Sequence, residues 1–444
     1  MPKFAWTRRS LVPLFVFAAA FLGPPRALAD PCAVGVYALR DGAVVDIAPA
    51  DADALRWRRS DGTTGRLSEA GRGVWSSTRG WTGRPDGVRI SFDCARGSIA
   101  FNSVRGRRID LRVTETRFAV EGATLAGRLL MPPGDGPVPL VVLIHGAERT
   151  AARDAYALQR LFPAAGIGAF VYDKRGTGES GGRYTHDYLT LAMDAIAAMS
   201  EARRLAGARA TRVGYQAGSQ GGWVAPLAAR IAPADFVIVG FGLAVSPAEA
   251  ERELIRNEIA HAGYGPDIAV RALEVETAVE TIVESNFQSG YDTLAVLRAR
   301  YGGEPWFAHV RGSGVAAWIL STPEATLRSE GPAVAPGISL NYDPLPVLRS
   351  LATPQLWILA GDDVIAPVGA TSARLSALAQ AGRPITVAIF PQTEHGIYEY
   401  ELAADGARVD TREPERYFTM MRDFIRTGQV SAGETVIVAS PQAR

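Results

Sequence analysis

Two hydrophobic rhythms divide the chain. Between residue 30 and about 115, short stretches such as GVYALRDG, GVRISFDC and GSIAFNSV alternate apolar with polar positions, and DG, GRG and RPDG runs separate them. A period of two with closely spaced turns predicts a small all-β module over residues 30–115. From about residue 116 the rhythm changes. TRFAVEGATLAGRLLMP has the pattern of a hairpin. After it the continuous apolar runs PLVVLIH, IGAFVYD, TRVGYQ, DFVIVGF, PQLWILA and PITVAIF appear, dense in Val, Ile, Leu and aromatics. Runs of that kind suit strands buried on both faces of a mostly parallel sheet. YLTLAMDAIAAMSEARRL and TSARLSALAQAG fall between them with helical spacing, so residues 116–444 are expected to form an α/β domain.

One interval breaks the alternation. Residues 243 to about 345 separate two sheet strands and are mainly helical, with SPAEAERELIRNEIAHAG a long amphipathic stretch. An insertion of this length is more than a loop, and it is expected to form a cap over the strand ends, where ligands bind in open α/β sheets. Tyr301, Trp306, Phe307 and Trp318 either line an apolar pocket beneath that cap or pack its own core.

The chemistry centres on GYQAGSQGGWVAP. Ser219 follows the run TRVGYQ and precedes the helical GGWVAPLAARI, the strand–turn–helix setting of a nucleophile elbow. The turn is tight, so the positions two before and two after the serine must be small. Gly221 satisfies one, and Ala217 stands where the G-x-S-x-G pattern has its first glycine. A serine hydroxyl needs a base, and the base needs an orienting acid, in the chain order serine, acid, histidine. WILAGDDVIAP supplies Asp362 and Asp363 directly after a strand. FPQTEHGIYEY supplies His395, the only one of five histidines that lies C-terminal to both. The expected triad is Ser219, Asp363 and His395, with Asp362 the rival acid. Two N–H donors are expected for an oxyanion: Gln220, directly after the nucleophile, and Ala147 in the loop that ends VVLIHGAERT, with Gly146 the second choice. His145 is then a structural residue of that loop.

Composition narrows the function classes. Residues 1–29 place Lys3, Arg8 and Arg9 before the apolar run LVPLFVFAAAFL and end in Ala27-Leu28-Ala29, the form of a signal peptide with Asp30 as first mature residue. The run has about 12 residues, short of the ~20 a membrane-spanning helix requires. The segment carries four basic residues and no acid, so its removal takes the net charge from +1 to −3. A near-neutral chain offers no electrostatic argument for nucleic acid. Export to the periplasm or medium permits a disulfide, and Cys32 and Cys94, the only cysteines, are expected to pair. Two cysteines without a histidine cluster speak against zinc.

Taken together, these motifs resemble the α/β-hydrolase superfamily, and within it bacterial esterases close to the serine aminopeptidase-like group, over about residues 116–428. HGAERTAARD resembles the oxyanion loop with its following Arg153-Asp154. VYDKRGTGESGG is similar to the loop in which Asp173, Arg175 and Gly176 brace the site. AGSQGGWVAP resembles the elbow, NYDPLPVLRSLATPQLWILAGDDVIAP the approach to the acid, and EHGIYEY the histidine loop. In that family the acid lies four residues before a proline, and Asp363 keeps this spacing to Pro367. The resemblance implies an exported serine hydrolase acting on small carboxylic esters, a carboxylesterase, with neither metal nor organic cofactor. The alternative is a serine peptidase acting on short peptides at a free terminus, for which a cap cluster of Glu249, Glu251, Glu253 and Glu258 would have to receive an amino group. A third reading is a binding protein on a degenerate hydrolase fold. Substrate preference and oligomeric state are not legible in the sequence.

Overall fold

A computed structural model of the protein describes residues 32–50, 54–71, 73–430 and 436–439. The expected signal peptide and its cleavage point lie outside the described residues.

The alternating N-terminal stretches become eight strands between Gly35 and Arg108, each paired antiparallel with the next. Val104–Arg108 returns to pair with Gly35–Leu39, so the strands close into a barrel. Closure removes the exposed edges that an open sheet of this size would present. Inward-facing Tyr37, Ile47, Leu55, Trp57, Leu67 and Ile90 fill the interior. Trp57 meets Phe101 edge-on at 5.1 Å and gives its indole N–H to Ser77 Oγ at 2.8 Å. A Cys32–Cys94 disulfide, with Cα atoms 5.6 Å apart, ties the residues before the first strand to the end of the sixth.

The second region is built on a nine-stranded sheet. From one edge its order is Val436–Ala439, Ile385–Phe390, Gln355–Ala360, Val237–Gly240, Ala210–Gly218, Val138–Ile144, Gly168–Tyr172, Ala123–Met131 and Arg112–Val120. The six strands from Ile385–Phe390 to Gly168–Tyr172 run parallel, and those outside them pair antiparallel. Each of the six long apolar runs forms one of these parallel strands. Along Val138–Ile144, Leu140 and Val142 enter the core on one face while Val141 and Leu143 enter the core on the other, which explains the absence of polar alternation. Helices Tyr188–Ala206 and Val368–Gln380 occupy the expected intervals. With the elbow at the end of Ala210–Gly218, this is the α/β-hydrolase fold that the resemblance implies.

Residues 243–345 contain the helices Pro247–His261, Pro266–Glu284, Tyr291–Tyr301, Val315–Ser321 and Glu324–Val334. The first opens on a capping box between Ser246 and Glu249, with Pro247 at its first turn. Of the two readings of the cap aromatics, the structure favours internal packing. Trp306 is fully buried, 5.3 Å from Tyr301 and 6.0 Å from Phe307, and Trp318 meets Phe287 edge-on at 5.6 Å. No helix among the described residues is long and apolar enough to cross a membrane.

Among the described residues, barrel and sheet meet in two places. Asp46 on the second barrel strand is wholly buried against Arg160 in the helix Leu158–Ala164. The other contact falls on the segment after His395, where Thr393–Glu394, Tyr398–Leu402 and Arg408–Arg412 form a small antiparallel sheet. Trp81 of the barrel packs edge-on against Tyr398 at 4.7 Å and donates its backbone N–H to Asp410 O at 3.0 Å. Glu413 donates its N–H to Gly62 O at 3.0 Å, and Arg84 pairs with Glu401.

Candidate active site

Ser219 sits between the strand Ala210–Gly218 and the helix Gly221–Ile231, with φ at 51°. A non-glycine residue there is strained and must be held by its neighbours. Ser219 N–H donates to Gly240 O at 3.1 Å, and Ser219 O accepts from Gly222 N–H at 2.8 Å. The need for small flanks is visible in the packing. A Cβ on Gly221 would stand 2.9 Å from the Ala217 methyl and 3.2 Å from Ile144 O. Ala217 itself is fully buried, so the elbow accommodates its methyl because Gly221 has no side chain.

The three triad candidates come together. His395 Nε2 lies 3.1 Å from Ser219 Oγ, and His395 Nδ1 lies 2.9 and 3.2 Å from the two carboxylate oxygens of Asp363. Asp363 is locked in turn, its Oδ1 accepting from the N–H groups of Ile365 at 2.8 Å and Ala366 at 2.7 Å. Burial alone would push the His395 pKa down. The charge and hydrogen bond of Asp363, with Glu394 and Glu148 farther off, instead hold it above the ordinary histidine value. Phe241 covers the imidazole edge-on at 4.9 Å.

Asp362 is turned away. Its Oδ2 accepts from Tyr400 OH at 2.7 Å and its carbonyl accepts from Arg408 at 2.8 Å. Glu394, next to the histidine, is paired with Arg408. His145 accepts the Lys174 N–H on Nε2 at 3.0 Å, and burial lowers its pKa, so it is a neutral member of the loop scaffold.

Gly146 and Ala147 lie against the elbow. A Cβ on Gly146 would be 3.1 Å from Ser219 Cβ and 3.4 Å from Gly218 O. Among the described residues, no acceptor takes the backbone N–H of Ala147 or Gln220. Ala147 O accepts from Tyr184 OH, and Lys174 Nζ donates to Gly146 O at 2.6 Å, fixing both peptide planes. Farther out, the Arg153 backbone N–H and Nε hold Asp173 at 3.1 and 3.0 Å, and Arg175 clasps Asp194 at 2.6 and 2.7 Å.

Sequence reasoning missed Lys174, Tyr156, Tyr184 and above all Glu148. Glu148 and Lys174 both stood in quoted motifs, but nothing in their spacing placed them beside the serine. Burial lowers the Lys174 pKa to about 8. A cavity of about 510 Å³ between the cap and residues 175–190 is lined by Arg175, Tyr184, Asn286 and Gly337 among others, and the three triad residues are not in its lining.

Neither a protein-family model nor a curated relative matches the sequence. Among solved structures, the chain is similar to Pyrococcus horikoshii acylaminoacyl peptidase, with TM-score 0.43 and 13% identity over 88% of this chain. It spans 57% of that protein's length. It is also similar to an esterase of Pyrobaculum calidifontis, with TM-score 0.43 and 16% identity over 72% of this chain and 86% of that one. For a thermophilic esterase from Thermogutta terrifontis the values are 0.39 and 19%, over 71% of this chain and 98% of that one.

Proposed function

We propose that the protein is an exported serine hydrolase that cleaves carboxylic esters through an acyl-enzyme, with Ser219, His395 and Asp363 as the triad. The observation that carries this reading is the unbroken run of contacts from Ser219 Oγ through both nitrogens of His395 to a locked Asp363. Ser219 Oγ attacks the acyl carbon while His395 Nε2 takes its proton. The N–H groups of Gln220 and Ala147 receive the developing oxyanion. Collapse of the tetrahedral species expels the alcohol, which leaves with the proton held on Nε2. A water then attacks the acyl-enzyme with His395 again as base, releasing the acid and restoring the serine. Asp363 keeps the proton of neutral imidazole on Nδ1 and stabilises the imidazolium.

Export is supported by the N-terminal pattern and agrees with the Cys32–Cys94 bond. The four cap glutamates do not favour the peptidase alternative, because each has a structural partner. Glu249 binds Arg374 at 2.9 Å, Glu251 accepts from Ser313 N–H at 2.9 Å, Glu253 faces Ala370 N at 3.4 Å, and Glu258 accepts from Gly312 N–H at 3.0 Å. Hydrolysis of p-nitrophenyl acyl esters and aminoacyl p-nitroanilides by wild type and Ser219→Ala tests the proposal. Ester turnover abolished by the substitution is expected. Turnover unchanged in Ser219→Ala refutes the triad, and anilide cleavage that outpaces ester cleavage replaces the esterase with the peptidase.

A further inference from the structure

Glu148 brings a negative charge into the loop that should receive an oxyanion. Its Oε1 accepts from Tyr156 OH and lies 3.5 Å from His145 Nδ1. Oε2 takes no hydrogen bond from any described residue, and the side chain keeps 29% of its surface exposed. The point where a Cβ on Gly146 would stand is 2.7 Å from Glu148 Oε2 and 3.1 Å from Ser219 Cβ. Only a glycine fits at this point, so the nucleophilic residue and an unpartnered carboxylate oxygen approach it closely from two sides.

The carboxylate is ionised. Burial would raise its pKa, but His145 3.5 Å away, the Lys174 charge and the hydrogen bond from Tyr156 overcome that and hold it far below the usual range. No Lys or Arg among the described residues lies within ion-pair distance of it. A fixed anion at this place opposes the charge that develops on the acyl oxygen. For a neutral acyl group that opposition slows the reaction. A substrate that carries its own cation beside the scissile carbonyl offsets it and gains a charge-assisted hydrogen bond.

We propose that Glu148 selects substrates with a cationic group next to the scissile carbonyl, of the kind an unblocked aminoacyl ester presents. The inference rests on the ester-hydrolase reading above and names its substrate class. Glu148 is a specificity residue here: it binds the ammonium group and takes no part in proton transfer.

The test compares glycine and N-acetylglycine p-nitrophenyl esters at pH 7, where an α-amino group is largely protonated. The free-amine ester should have the higher kcat/KM in wild type, by roughly ten- to hundredfold, the weight of one hydrogen bond to a charged group. Glu148→Gln retains an acceptor for Tyr156 and should bring the ratio to within about threefold of one, lowering turnover of the free-amine ester and raising that of the acetylated ester. Wild type alone gives a second reading that needs no variant: glycinamide should inhibit competitively and N-acetylglycinamide should not. A wild-type ratio near one, or a ratio unchanged in Glu148→Gln, overturns the inference. Fluorophosphonate labelling of the same preparations separates the two levels. Labelled enzyme without the amine preference overturns the role of Glu148 alone, whereas folded but unlabelled protein overturns the hydrolase reading as well.

Discussion

His395 Nε2 stands 3.1 Å from Ser219 Oγ across 176 residues of chain, and the same imidazole holds Asp363 on its other nitrogen. The neighbouring Asp362 is hydrogen-bonded to Tyr400 instead. The two adjacent carboxylates should therefore differ sharply on substitution. Asp363→Asn presents an amide that favours the wrong imidazole tautomer, and kcat should fall by about 10⁴. Asp362→Asn leaves the triad intact and should cost less than about tenfold. Steady-state kinetics on both variants checks this, and equal losses would remove Asp363 from the triad.

The raised pKa of His395 fixes the direction of the pH dependence. Protonation removes the base, so activity is lost as pH falls through the histidine pKa. The acidic limb of kcat/KM should lie above the ordinary histidine value of about 6.5. Removing a contributing negative charge should move the limb down. Glu148→Gln is expected to shift it to lower pH with a substrate of fixed charge, as a pH–rate profile would show.

The elbow carries a testable packing pair. Gly221→Ala would place a methyl 2.9 Å from the Ala217 methyl, and overpacking in a closed core costs about 1–3 kcal/mol. Ala217→Gly should restore part of that loss in the double variant, because it removes one of the two clashing groups. Denaturant unfolding of the two single variants and the double variant measures the coupling. Full additivity would show that Ile144 O, 3.2 Å from the same point, sets the limit alone.

The barrel reaches the histidine segment through Trp81, which packs on Tyr398 three residues beyond His395 and lies under the Arg56 guanidinium at 4.1 Å. Trp81→Ala should cost about 1–2 kcal/mol of stability through the lost ring contacts. If the barrel steadies the histidine segment, kcat should also fall severalfold while KM changes less. A loss of stability with unaltered kcat would confine the contact to docking.

The legible parts of the sequence were those in which one element decides the pattern. Six apolar runs became six parallel strands, because burial on both faces leaves no room for polar alternation. The order of Ser219, Asp363 and His395 fixed which strand ends they follow, and the sheet then brings those ends to one edge. Barrel closure was not legible, since the pairing of Gly35–Leu39 with Val104–Arg108 depends on strand number and curvature. Nor was the role of Glu148. Its place beside Ser219 follows from the close approach at Gly146 and the anchoring by Tyr156, both set by tertiary contacts. The cap aromatics were ambiguous for a related reason: spacing marks Trp306 as apolar but cannot say which neighbour covers it.

The central claim is most directly tested by trapping the acyl-enzyme. Wild-type protein mixed with p-nitrophenyl butyrate, quenched in acid within the first turnover and digested, should yield the peptide containing Ser219 with one butyryl group attached to that residue, and Ser219→Ala should yield no acylated peptide. Rapid hydrolysis by Ser219→Ala, or a butyryl group found on another residue of the wild type, would contradict the account.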